Sequence, residues 1–90
     1  MPYRIDYTEE ARRALHTMPG NYRQRTRRLV EALANNPHPP GSRKLRDLPG
    51  YYRIRLDRWR IIYRIDDEDL VVTILRIARK AGPETYHDLN

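Results

Sequence analysis

The sequence predicts one α+β domain in the order β-α-α-β-β-β, with a helical hairpin packed on one face of an antiparallel meander. Three observations lead there. Two segments with helical periodicity fill the first part of the chain and are separated by Pro19-Gly20. A stiff connector, "NNPHPPG" (Asn35 to Gly41), cannot continue a helix. Beyond it, three strand-like runs follow one another through short turns, which forces antiparallel neighbours.

The first strand is "YRIDY", Tyr3 to Tyr7, which alternates over a short span. Thr8 then offers a helix N-cap, with Glu9 and Glu10 at the end where negative charge is favoured. The first helix is short because Pro19-Gly20 ends it. A second, longer helix is expected from about Pro19 to Asn35. Its positions Tyr22, Thr26, Leu29, Val30 and Leu33 form one stripe of a 3.6-residue period, and Arg23, Arg25, Arg27 and Arg28 form a solvated opposite side. The later strands are expected at Tyr51–Leu56, Trp59–Ile65 and Leu70–Ile77, separated by Asp57-Arg58 and by the acidic run Asp66–Asp69. Arg43, Lys44 and Arg46 fall in the loop before the meander. The tail after Pro83 has room for a helical turn.

Ninety residues suit a single domain, 1–90, with a core just large enough to fold without a staple. The absence of cysteine excludes a disulfide framework and thiolate metal sites. "MPYRIDYTEE" has no signal-peptide pattern, and "LVVTIL" is far too short to span a bilayer, so the expectation is a soluble cytoplasmic protein with no membrane partner. The formal charge is +6, from 18 basic and 12 acidic residues, and the only lysines are Lys44 and Lys80. Arginine's planar fork suits phosphate and carboxylate, so this bias points to phosphate recognition.

Most of the positive charge of the second half lies on "GYYRIRLDRWRIIYRI", Gly50 to Ile65. A two-residue turn between Leu56 and Trp59 sets Arg55 opposite Arg60, as a four-residue loop also would. Tyr52–Tyr63, Ile54–Ile61 and Leu56–Trp59 then pair on the core face. Tyr51–Arg64, Arg53–Ile62 and Arg55–Arg60 share the other. Like charges directly opposite are destabilising, so the pairing either serves to hold a polyanion or is a surface pair whose long side chains splay into water at small cost. On this reading Trp59 and Tyr63 are core aromatics, Arg76 lies on the Trp59 side as an edge ion pair, and Thr73, Leu75 and Ile77 share the cationic face. The "DDED" run is a solvated turn without an octahedral cage, and His16, His38 and His87 have no ligand spacing, so neither metal nor cofactor is expected.

The succession "RKLRDLPGYYRIRLDRWRIIYRIDDEDLVVTILRIARKAGPETYHDL" resembles the RelE/ParE superfamily of bacterial type II toxin–antitoxin toxins. The marks are K-L-R-x-L-P-G, Y-R-I-R-L, R-I-I-Y-R-I before an acidic turn, and a basic pair six residues before a tyrosine. The resemblance implies a sheet with a helical pair on one side and a basic concave face on the other. RelE-like members cut mRNA in the ribosomal A site; ParE-like members inhibit DNA gyrase without nuclease activity. Both are silenced by a cognate antitoxin, which here would cover the cationic face with an acidic or amphipathic segment.

Carried across residue by residue, the RelE catalytic positions fall on Arg53, Arg55, Arg60, Lys80 and Tyr86. The implied reaction is attack of an mRNA 2′-hydroxyl on the adjacent phosphate, without a metal. Arg53, Arg55 and Arg60 would supply cation density, and Tyr86 would stack on or orient a base. Arg43, Lys44, Arg46, Tyr51, Arg64 and Arg79 would contact RNA around them. The family pattern has lysines on the strand that here carries Arg53 and Arg55, and an arginine before the tyrosine; the two types are exchanged in this chain. Arginine stays protonated and makes a poor general base. Either Lys80 takes the proton, or the ribosome and RNA do, or the target differs.

Overall fold

In the computed structural model, which describes residues 2–79, the elements run in order β1 (Arg4–Tyr7), α1 (Glu9–Thr17), α2 (Gly20–Leu33), β2 (Arg43–Lys44), β3 (Tyr51–Leu56), β4 (Trp59–Asp66) and β5 (Val71–Arg79). Lys80, Tyr86, His87 and the turn expected after Pro83 lie outside the described residues. The sheet is five-stranded, in the order β1-β5-β4-β3-β2. β3, β4 and β5 form the expected antiparallel meander, but β1 pairs with β5 in parallel, so the sheet is mixed. The other departure is β2. Arg43 and Lys44, read as loop, pair antiparallel with Arg53 and Tyr52.

Both helices pack on one face. Ala11 and Leu15 of α1 and Val30 and Leu33 of α2 share a core with Ile54, Ile61, Tyr63, Ile65, Val72, Ile74 and Ile77. The stripe predicted for α2 is the buried one, with Thr26, Val30 and Leu33 enclosed and Tyr22 and Leu29 half-buried. Burying side chains of this size is the main favourable contribution to folding, at roughly 1.5–3 kcal/mol each.

Strict alternation fails once, in β5. Ile62 pairs with Arg76 but Tyr63 pairs with Ile74, so Leu75 is an extra residue at a bulge. The bulge brings Val72, Ile74 and Ile77 all to the core face, where each is buried. Ile77 is therefore a core residue opposite Ile61, not a member of the cationic face, and Arg76 stands in register with Ile62 instead of on the Trp59 side. Without the bulge, the alternation that buries Val72 and Ile74 would carry Arg76 into the core.

Thr8 ties the first helix to this irregularity. Its hydroxyl accepts from the Ala11 N–H at 3.1 Å as the α1 N-cap and donates to the Leu75 carbonyl at 2.8 Å. Its own N–H donates to the Ile74 carbonyl at 3.0 Å. Nearby, Arg76 Nε lies 3.5 Å from the Glu10 carboxylate at the start of α1, an ion pair across the sheet edge.

The proline-rich connector is anchored to the same core. The hydroxyl of fully buried Tyr63 donates to the Pro37 carbonyl at 2.8 Å. Tyr52 stacks on Tyr63 with centroids 5.8 Å apart, and His38 meets the Tyr52 ring edge-on at 5.0 Å. At the other end of the sheet, the β3–β4 turn is clamped to α2. Asp57, at φ +54°, accepts from the Tyr22 hydroxyl at 3.1 Å and from Arg25 Nη1 at 3.2 Å, while Trp59 packs against the Tyr22 ring.

Two outcomes follow for stability. Tyr63→Phe leaves the Pro37 carbonyl without its phenol and should cost about 1–3 kcal/mol in urea unfolding at pH 7. Burial raises the Tyr63 and Tyr7 phenols above their ordinary value of 10.0. The stability this contributes is complete below about pH 10 and is lost as pH rises through the folded values, so the alkaline loss should be smaller in Tyr63→Phe than in the wild type. Asp57→Ala removes both α2 contacts and places alanine at positive φ. It should destabilise by about 1–2 kcal/mol, with Asp57→Asn milder because asparagine tolerates that conformation.

Candidate functional site

The sheet face away from the helices is assembled by pairing alone. Arg55 stands opposite Arg60, Arg53 opposite Ile62, and Tyr51 opposite Arg64, the register expected from the two-residue turn. β2 adds Arg43 opposite Arg53. Rows across the sheet therefore read Arg43–Arg53–Ile62–Arg76 and Arg55–Arg60–Ala78, and a third reads Tyr51–Arg64–Thr73–Asp6. The only carboxylate in these rows, Asp6, lies in β1 and is bridged by Arg4 at 3.0 Å.

The paired arginines are not equivalent. Arg55 is exposed, Arg53 half-buried, and Arg60 only 5% exposed. A guanidinium buried to that extent is held by the protein and does not splay into water, so the pairing is not merely a solvated accident of the strand. Arg60 also sits three residues from the Asp57 clamp, on the strand whose other face carries Ile61 and Tyr63. Its backbone is thereby fixed from both the turn and the core.

The other candidate residues divide by place. Arg64 and Tyr51 join the arginine face in mutual register, and Arg43 joins it through β2. Lys44 pairs with Tyr52 and Arg79 with Trp59, so both stand in register with residues of the helix-bearing face. Arg46 is exposed in the loop after β2. Lys80 and Tyr86 lie outside the described residues. Trp59 and Tyr63 pack with the core and do not belong to the arginine face.

Reasoning from strand patterns missed two contributions. A two-residue strand such as β2 gives no periodic signal, yet it places Arg43 beside Arg53. The Asp57 clamp was also missed. Its signal was an acidic residue in a two-residue turn, with Tyr22 and Arg25 one helical turn apart on the facing helix.

The acidic turn has a structural role. The Asp66 carboxylate accepts from the N–H groups of Glu68 at 3.1 Å and Asp69 at 3.0 Å, closing the loop as an Asx-type cap. Among the described residues no group of three or more His, Cys, Asp or Glu is placed to hold a metal ion. None of their helices is long and apolar enough to cross a membrane.

The family described as "ParE toxin of type II toxin-antitoxin system, parDE" matches residues 3–82. The chain is 35% identical over 82 residues to Toxin RelG of Mycobacterium tuberculosis, covering 90% of this chain and 94% of that one. It is 24% identical over 90 residues to the mRNA interferase toxin RelE of Escherichia coli, covering 98% and 94% respectively. Among solved structures, the toxin–antitoxin complex RelBE2 of M. tuberculosis contains a chain that superimposes with a TM-score of 0.77 at 33% identity, over 89% of this chain and 100% of that one. With this fold and these matches along nearly its whole length, the chain belongs to the RelE/ParE superfamily of type II toxin–antitoxin toxins, and its homology is stronger to the RelE-type members.

Proposed function

We propose that the protein is the toxin of a type II toxin–antitoxin pair and acts as a ribosome-dependent mRNA endonuclease. The observation that carries this reading is the Arg55–Arg60 pair beside Arg53, set by register on the helix-free face of a chain similar to an mRNA interferase. The mRNA 2′-hydroxyl attacks the adjacent phosphorus, and the P–O5′ bond breaks to leave a 2′,3′-cyclic phosphate and a free 5′-hydroxyl. Charge builds on the non-bridging oxygens in the transition state, where fixed guanidinium donors bind it more tightly than they bind the starting phosphodiester.

The arginines do not take the proton, because guanidinium is not deprotonated at neutral pH. By resemblance to the RelE pattern, Lys80 is the candidate base and Tyr86 the candidate base-stacking residue. The ribosome and the RNA are the other sources of proton transfer. Arg43, Arg46, Tyr51 and Arg64 extend the RNA surface, with Lys44 and Arg79 at its borders. In this reading the toxin works in the cytoplasm, where ribosomes are, and its cognate antitoxin covers the arginine face. The RelBE2 complex, in which a similar chain is bound to an antitoxin, supports that partner.

The ParE-type description of the matching family keeps gyrase inhibition as the second reading. Expression of the chain without an antitoxin separates them. Primer extension should show codon-phased mRNA breaks, with Arg55→Gln lowering cleavage by roughly 10²–10³-fold and Lys80→Ala restoring growth. Arrested DNA supercoiling with intact mRNA would establish the gyrase reading instead. Undiminished cleavage by Lys80→Ala would remove that lysine from the mechanism.

A further inference from the structure

The arginine face continues around the edge of β3 into a cleft of about 480 Å³. Leu29 of α2, Pro40 and Gly41 of the connector, and Arg43, Arg53, Ile54 and Arg55 line it. The volume lies in the usual range for small-ligand sites. Its composition is divided: Leu29, Pro40 and Ile54 make an apolar side, and the arginines come from the two neighbouring strands. Among the described residues, no acidic side chain lines it.

The chain geometry explains why space exists there. Pairing between β2 and β3 covers only Arg43↔Arg53 and Lys44↔Tyr52. One residue earlier the connector turns away: the Ser42 N–H and hydroxyl both donate to the Pro39 carbonyl, at 3.0 and 2.8 Å, and Gly41 adopts φ +94°. A Cβ built at Gly41 would meet nothing within 4 Å, so the glycine serves the turn and the ground beside it is open.

We propose that this cleft is a nucleotide subsite, taking one unstacked RNA nucleotide next to the phosphate held on Arg55 and Arg60. The base lies against Leu29, Pro40 and Ile54, and its phosphate is gripped by Arg43, Arg53 and Arg55. The inference rests on the reading of the arginine face as an RNA surface and assigns that surface a further pocket on the helix side of the sheet edge. An acidic peptide fits less well. Only Ile54 to Leu56 of β3 extends past β2, shorter than the usual strand of about five or six residues that an added strand would match. Nor would carboxylates use the apolar side. Stacking or apolar contact with a base, combined with cations on its phosphate, is how proteins hold single-stranded RNA.

The test is a ¹H–¹⁵N NMR titration of the full chain with adenosine 3′,5′-bisphosphate, and separately with inorganic phosphate and with an Asp/Glu-rich peptide. The nucleotide should shift the amides of Leu29, Gly41 and Ile54 and bind roughly tenfold more tightly than phosphate. Leu29→Gln should narrow that gap, and Arg43→Gln should weaken both ligands. Nucleotide shifts confined to Tyr51, Arg60 and Arg64, equal affinity for nucleotide and phosphate, or shifts at Leu29 and Gly41 with the peptide alone would each overturn the subsite. Binding in the cleft by a chain that leaves mRNA intact would sustain the subsite and sink the nuclease reading. Cleavage with no nucleotide shifts in the cleft would do the reverse.

Discussion

The structure of the candidate site depends on one constraint, the two-residue turn at Asp57-Arg58. With two residues between Leu56 and Trp59, every pair from Leu56–Trp59 back to Tyr51–Arg64 is determined. Side chains alternate with a period of two, so a slip of one residue would send Ile54, Ile61 and Tyr63 to solvent and the arginines into the core. Burial of Ile61 and Tyr63 against α1 and α2 therefore holds the register, and the register holds Arg55 against Arg60. The cation pair is maintained by apolar burial on the opposite side of the same strands. Asp57 adds a local restraint at the tip, where Tyr22 and Arg25 grip it.

A like-charged pair opposed across strands is destabilising, by something on the order of 0.2–1 kcal/mol. The chain keeps it where one member, Arg60, is 5% exposed. Departures from local consistency of this kind concentrate at functional sites. The bulge in β5 works in the opposite sense, because it restores consistency. It lets Val72, Ile74 and Ile77 all reach the core and spares Arg76 burial there, and Thr8 bonds the carbonyl of the extra residue to the start of α1.

How much was legible in the sequence follows from where a periodic signal exists. β3 and β4 alternate cleanly and are joined by a short turn of even length, so their pairing could be worked out residue by residue. Thr8 as an N-cap and the apolar stripe of α2 were legible for similar reasons. β5 was not: "VVTILRIAR" is apolar on both sides of the alternation, and neither phase is marked. One clue was available. Burying Val72 and Ile74 opposite a strictly alternating β4 leaves Ile77 on the wrong face unless a residue is inserted. The parallel pairing of β1 is a tertiary fact with no local signature, and β2 is too short to have one. The arginine pair was thus readable from residues alone. Its assignment to RNA came from family likeness, and the cleft beside it required the three-dimensional path of Pro40 to Arg43.

The claim that the arginine pair is kept for a polyanion at a cost in stability is tested most directly by thermal unfolding of the wild type and Arg55→Gln at low salt. Each is melted with and without a short single-stranded RNA. Without RNA, Arg55→Gln should unfold at the same or a higher temperature than the wild type, because a repulsive pair has been relieved. With RNA, the wild type should gain stability and the variant should gain much less. A variant that is less stable without RNA, or that gains as much as the wild type with it, would contradict the account.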